Sequence, residues 1–414
     1  MDHTIRGRAK ALAWTLMFVY FSSYITRINF AVMMVKICSE MSLEKTALAI
    51  VVTGLTITYG AGQIFSGFLG DKLRAEWMLI GGLTVAGCSN IAMSFCDSVG
   101  MMTVVWCVNG LAQAMLWPPI VRLMSTYLSD TEYSYAAVRL YWGSSLATIV
   151  LYLGAPLLLY VMSWRTVMLI CAAVGFGAAI LWLVSYPKLL VDPIAHVKAS
   201  PAATEEKPAR IPLPKFVYLP IVLIMIGIAM QGVLRDGVTN WMPFYMQETF
   251  RIPEENAIIS TVILAVFSIV SFTFFDFLHR KILTNEISCS AVIFGASAIC
   301  AVSLYFANAA GAPAVVPMLF MGIIVACMHG VNLMLITIVP KRFVKSGRVA
   351  TYSGLFNAFT YIGAAISTYG FAALAENLGW GVTILSWGIV SLLGMAVCFF
   401  ATPLWKRFRR EYAD

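Results

Sequence analysis

Apolar residues run through this chain in long blocks, without the strict alternation of strands or the narrow apolar stripe of surface helices. Twelve blocks stand out: 11–35, 46–69, 77–96, 100–127, 135–161, 166–186, 216–246, 256–278, 283–307, 313–339, 350–374 and 379–402. Each approaches or exceeds the roughly 20 residues that a helix needs to cross a bilayer. Most connections between them are short. The exception is 187–215, where Pro187, Pro193, Pro201, Pro208, Pro212 and Pro214 lie among scattered charges. That segment predicts a flexible linker. The expected architecture is an all-α polytopic membrane protein with twelve transmembrane helices. They fall into two six-helix pseudo-repeats, 1–186 and 216–414, joined by the linker.

Composition agrees. The chain is 60% hydrophobic and 12% charged, with a mean hydropathy of +0.83, whereas soluble domains are about half apolar and a quarter charged. The first block is followed by no small-residue cleavage site, so it predicts a retained helix and not a signal peptide. The nine cysteines fall mostly inside apolar blocks, without Cys-x-x-Cys or any metal-ligand spacing. They are expected to be small core residues, with no metal and no cofactor.

The net charge of +8 changes the picture only through its placement. Twenty of the twenty-eight basic residues precede helix 1, follow helices 2, 8, 10 and 12, or lie in the linker. On the opposite side fall only Lys36, Lys45, Arg165 and Arg251. By the positive-inside rule both termini are expected in the cytoplasm. The charge is thus topology and not a nucleic-acid footprint.

Four arginines remain within the apolar blocks: Arg27, Arg122, Arg139 and Arg235. Arg139, near the end of helix 5, is expected to be structural. Arg122 follows Trp117-Pro118-Pro119 and is assigned to packing or gating before substrate contact. Arg27 sits near mid-membrane, with Tyr24 and Tyr20 three and seven residues earlier on the same helical face. A guanidinium keeps its proton, so at that depth it must be paired, solvated or bound to an anion, at a cost of a few kcal/mol. Arg235 lies about as far into helix 7 as Arg27 does into helix 1, the matching place in a parallel repeat. Asp236 follows it directly, as a possible proton or charge partner. His329 and Asn332 add polar groups in helix 10. Gly67, Asp71, Lys72 and Arg74 end helix 2 as a candidate gating motif, weakly echoed by Asp276, His279 and Arg280 after helix 8.

These residues carry a resemblance. Gly67-x-x-x-Asp71-Lys72 resembles the helix 2–3 loop motif of the major facilitator superfamily, although Arg74 replaces a second glycine. Tyr20, Tyr24, Arg27-Ile28-Asn29-Phe30, Tyr59-Gly60, Trp117-Pro118-Pro119, Leu234-Arg235-Asp236-Gly237 with Trp241, Pro340-Lys341-Arg342 and Ser353-Gly354-Leu355-Phe356 resemble the organophosphate:phosphate antiporter family. The resemblance implies alternating access, with Arg27 and Arg235 gripping a substrate phosphate. It implies that Tyr20, Tyr24, Tyr59, Gln63, Trp117 and Trp142 line the cavity. Two positions depart from the glycerol-phosphate pattern: Gln63 stands for a lysine and Leu146 for a histidine.

The expectation is a secondary transporter of a sugar phosphate or glycerol phosphate, exchanged for inorganic phosphate, monomeric in a bacterial inner membrane. Its partners would be a small anionic substrate and the lipid bilayer, with no nucleic acid. The alternatives are a proton-coupled symporter of an organic anion, using Asp236 or His329, and a transporter-like sensor of sugar phosphate. No phosphate-binding loop for ATP and no nucleophile–base set is present in the sequence, which argues against a pump and against an enzyme.

Overall fold

The computed structural model describes residues 5–43, 45–191, 193, 212–253 and 262–413, and those residues are helical almost throughout. In order the helices are α1 (Gly7–Met41), α2 (Lys45–Gly70), α3 (Ala75–Ser94), α4 (Val99–Ala114), α5 (Trp117–Tyr127), α6 (Asp130–Val161) and α7 (Trp164–Leu189). After the linker come α8 (Tyr218–Phe250), α9 (Val262–Lys281), α10 (Glu286–Ala309), α11 (Val315–Asn332) and α12 (Val349–Phe408). Most of the predicted linker, 192 and 194–211, lies outside the described residues, as does the start of the eighth predicted block.

Helix starts follow the local sequence. Ser98, Ser129, Ser163 and Asn285 cap α4, α6, α7 and α10, each side chain accepting from a first-turn amide. At α6 the cap is reciprocal: Ser129 accepts from the Glu132 amide, and the Glu132 carboxylate takes the Ser129 amide.

Two predicted blocks are more broken than their hydropathy suggested, and two others are joined. Block 100–127 is two helices, because Pro118 and Pro119 lack the amide protons needed to continue α4 and are tolerated in the first turn of α5. Block 313–339 is α-helical only to Asn332, then widens to a π-helix over Leu333–Ile338 and tightens to a 3-10 helix over Val339–Ser346. Pro340 lies at this junction, where it can neither donate to the preceding turn nor avoid crowding it. The last two blocks form one hydrogen-bonded run interrupted at Gly379, whose φ of 79° lies in the left-handed region that glycine enters without steric cost. Eleven helical stretches among the described residues are long and apolar enough to span a membrane, and the Gly379 break divides the last of them. The all-α polytopic expectation holds.

The chain forms two compact units, one of 1–211 with 343–355, the other of 212–342 with 356–414. Inside each, a tryptophan near the end of the unit's last helix donates to a glutamate in the first turn of its third. Trp182 Nε1 donates to the Glu76 carbonyl oxygen at 3.1 Å, and Trp405 Nε1 donates to Glu286 Oε2 at 3.1 Å. Glu286 is fully buried, and its carboxylate also accepts from Arg342 at 2.6 and 2.8 Å and from Arg409 at 3.3 Å. In the first unit, Glu132 joins α6 to the chain start, accepting from Arg6 Nε at 2.8 Å and Nη2 at 2.7 Å.

Removing one partner of a buried ion cluster leaves the remaining charge unmatched. Glu286→Ala is therefore expected to cost about 3–5 kcal/mol, read as a lowered Tm of the purified protein.

Candidate functional site

Arg27 lies midway along α1 and is 9% exposed. Its guanidinium carbon lies 4.1 Å from the ring centre of Tyr24 and 4.8 Å from that of Tyr59 on α2. Both separations suit attraction between a cation and an aromatic face. The aromatic frame continues: Tyr24 meets Tyr20 edge-on at 5.2 Å, Tyr20 meets Trp117 at 5.3 Å, and Trp117 meets Tyr141 at 5.7 Å. Gln63, one turn beyond Tyr59, is buried with both amide atoms lacking a hydrogen-bond partner, and so is Trp117 Nε1. The first unit thus brings together Tyr20, Tyr24, Arg27, Tyr59 and Trp117, and adds Tyr141.

Trp142 and Leu146 are placed differently. The ring of Trp142 lies 5.2 Å from Arg139, whose guanidinium also stacks on Tyr135 at 3.1 Å and donates to the Tyr135 carbonyl. Leu146 is 42% exposed. The ring of Trp142 is thus directed to a second arginine on its own helix.

Behind Arg27 runs a buried polar network that hydropathy concealed. Asn90 on α3 and Asn109 on α4 both donate to the carbonyl oxygen of Thr26, at 2.8 and 2.9 Å. Gln113 donates to the Thr26 hydroxyl at 2.9 Å and accepts from Ser23 at 2.6 Å, and Asn29 donates to Asn90 at 2.7 Å. Three helices are tied at the residue immediately before Arg27. The signal in the sequence was one amide each at 90, 109 and 113 inside apolar runs. Such groups must find partners within the protein once they leave water.

The residues of the candidate gating motif also lie within the first unit. Asp71 accepts from the amides of Ala350 at 2.9 Å and Thr351 at 2.8 Å, so a carboxylate sits at the N-terminus of α12, where the helix dipole favours it. Burial pushes the Asp71 carboxyl above its ordinary value, against the pull of the Thr351 and Ala350 hydrogen bonds. Arg122 donates to the carbonyl oxygens of Gly70 and Leu73, which holds the turn that carries Asp71. Lys72 lies over Phe68 and Arg74 pairs with Glu76 at 2.6 Å. Gly67 and Gly354 allow the two backbones to meet, since a Cβ on Gly354 would collide with the Gln63 carbonyl and one on Gly67 with that of Ala350.

In the second unit, Arg235 is clasped by its neighbour. Its Nε donates to Asp236 Oδ1 at 2.6 Å and its Nη2 to Oδ2 at 2.9 Å. The Arg235 backbone carbonyl accepts from Thr239 at 2.6 Å. His329 on α11 lies within electrostatic reach of Arg235 and packs its ring 5.1 Å from Phe272. Asn332, one turn further along α11, is buried. Gln231, one turn before Arg235, donates to the Met328 carbonyl at 3.2 Å, tying α8 to α11.

The Major Facilitator Superfamily matches residues 16–368. The chain belongs to that superfamily. It is therefore a member of a family of membrane transporters and an integral membrane protein. A probable hexose phosphate transport protein of Chlamydia muridarum is 24% identical over 95% of this chain and 90% of its own. The glycerol-3-phosphate transporter of Bacillus subtilis is 24% identical over 94% and 91%. The membrane sensor protein UhpC of Escherichia coli is 27% identical over 60% of each. These relatives bear out the resemblance to the organophosphate:phosphate antiporter family.

Because Gln113 serves Ser23, Thr26 and Asn109 at once, Gln113→Leu is expected to destabilise the protein by about 1–3 kcal/mol, the cost of stranding a buried polar group. Thermal melting in detergent checks it.

Proposed function

We propose that this superfamily member is a secondary transporter of an organic phosphate, a sugar phosphate or glycerol phosphate, and that it exchanges this against inorganic phosphate by alternating access. The observation that carries the reading is Arg27. It is a buried guanidinium held against two tyrosine faces; Gln63, one turn after Tyr59, and Trp117, packed on Tyr20, carry buried polar atoms without a hydrogen-bond partner. Arginine's planar fork matches phosphate oxygens, and its charge-assisted hydrogen bonds strengthen where water is scarce. Arg235, at the matching place in the second half of the sequence, is the second anion-binding residue in this reading. Tyr20, Tyr24, Tyr59 and Trp117 shape the organic moiety's surroundings. The hexose phosphate and glycerol-3-phosphate transporters among the relatives support the substrate class. The distribution of lysine and arginine supports cytoplasmic termini, and the location in this reading is a bacterial inner membrane.

The sensor relative supports a second reading, in which the same site binds sugar phosphate without carrying it. Counterflow in proteoliposomes tests both. Vesicles loaded with inorganic phosphate are expected to accelerate uptake of labelled glucose 6-phosphate or glycerol 3-phosphate. Tight binding with no flux at any gradient would favour the sensor, and uptake of a carboxylate driven by an imposed proton gradient would favour symport.

Arg27→Lys is expected to insert normally and to lose nearly all transport, because a point charge cannot present two parallel donors. Unchanged phosphate affinity in that variant, measured by thermal shift, would remove Arg27 from the site.

A further inference from the structure

Arg27 and Arg235 are held by different chemistry. Arg27 rests against the rings of Tyr24 and Tyr59, whereas Arg235 presents the Nε–Nη2 edge of its fork to both oxygens of Asp236. That edge is one of those a phosphate or carboxylate ligand takes in a two-point contact. The side chains of the pair are 18% and 25% exposed, so the interaction is neither sealed in the core nor diluted by bulk water. The partners are adjacent in the chain. The carboxylate therefore never diffuses away, and its effective concentration at the fork is fixed by covalent connection.

We propose that Asp236 is a tethered counter-ion. It occupies the Arg235 fork whenever substrate does not, and the anionic group of the substrate must displace it to bind. This rests on the reading of Arg235 as an anion-binding residue. Two consequences follow from the physics. Apparent affinity falls in proportion to the fraction of time the fork is already closed by Asp236. And a cation that regains a partner when substrate leaves no longer needs a second anion before the site closes in a poorly hydrated environment. The carrier then returns empty and performs net transport as well as exchange. Obligate exchange is the behaviour expected of a site whose cations are matched only by cargo.

The test compares the full-length protein with Asp236→Asn, Asp236→Ser and Asp236→Glu. Each is titrated by thermal shift with inorganic phosphate, glucose 6-phosphate, glycerol 3-phosphate and succinate. The anion bound best is then used, labelled, for uptake into proteoliposomes that contain the same anion or none, with valinomycin and potassium on both sides to clamp the potential. The wild type is expected to take the anion into empty vesicles. Asp236→Asn and Asp236→Ser are expected to bind it about tenfold more tightly, and their ratio of uptake into empty over loaded vesicles is expected to fall about tenfold. Asp236→Glu, which keeps the carboxylate, is expected to restore the wild-type side of both readouts. Melting in buffer alone identifies a misfolded variant, and either neutral variant suffices. Unchanged affinity or an unchanged uptake ratio in a folded neutral variant overturns the proposal, as does a wild type inert with empty vesicles. A response to succinate alone overturns the phosphate reading while leaving the Asp236 comparison to be made with succinate. No response of any protein to the four anions overturns both.

Discussion

A guanidinium stays charged in every environment a protein offers, so each arginine that enters an apolar span must be supplied with partners by the chain itself. Much of the polar chemistry in this protein answers that constraint. Arg27 receives two tyrosine faces, and Arg139 receives a stacked tyrosine and a backbone carbonyl. Arg122 receives the carbonyls that end α2, and Arg235 receives a carboxylate. Each solution sets what the arginine can do next. Carbonyls hold a turn in place, a carboxylate matches the charge directly, and aromatic faces attract the cation through their quadrupole.

Polar groups around Arg27 belong to the same solution. Two side-chain amides from different helices converge on the carbonyl of Thr26, so the backbone that projects Arg27 is fixed from behind while its head lies among rings. Hydrogen bonds from two packed helices limit how far the backbone under a buried charged side chain can shift. Close backbone approach serves the helices elsewhere. Gly67 and Gly354 meet in the first unit, and in the second a Cβ on Gly232 would strike the Thr360 carbonyl and one on Gly363 that of Ala229. Without a hydrophobic force between helices in lipid, small residues let van der Waals contact take its place.

Much of this was legible in the residues alone. Arg27 and Arg235 stand out because charge inside an apolar run is costly wherever the run folds, and the Asp71 motif because it ends such a run. The pairing of Trp182 with Glu76 and of Trp405 with Glu286 was not legible, since nothing in local sequence joins helix ends more than a hundred residues apart. The same holds for Tyr141 joining the aromatic frame, while Trp142, next to it in sequence, turns to Arg139. Neighbouring residues on a helix point about 100° apart, and only the packed rotation of α6 decides which of the two meets Trp117.

Sequence by itself determined the number and approximate length of the spans, because a backbone in hydrocarbon must satisfy its own hydrogen bonds and hydropathy sums residue by residue. It also determined that Arg27 and Arg235 would be expensive. Tertiary structure decided how each cost is met: rings for one, a carboxylate for the other, and amides from α3 and α4 for the backbone beside Arg27. It also decided that prolines interrupt two helices that hydropathy drew as whole, and that the last two blocks run on through Gly379. Those choices depend on the depth and rotation of packed helices, which no single stretch of sequence contains.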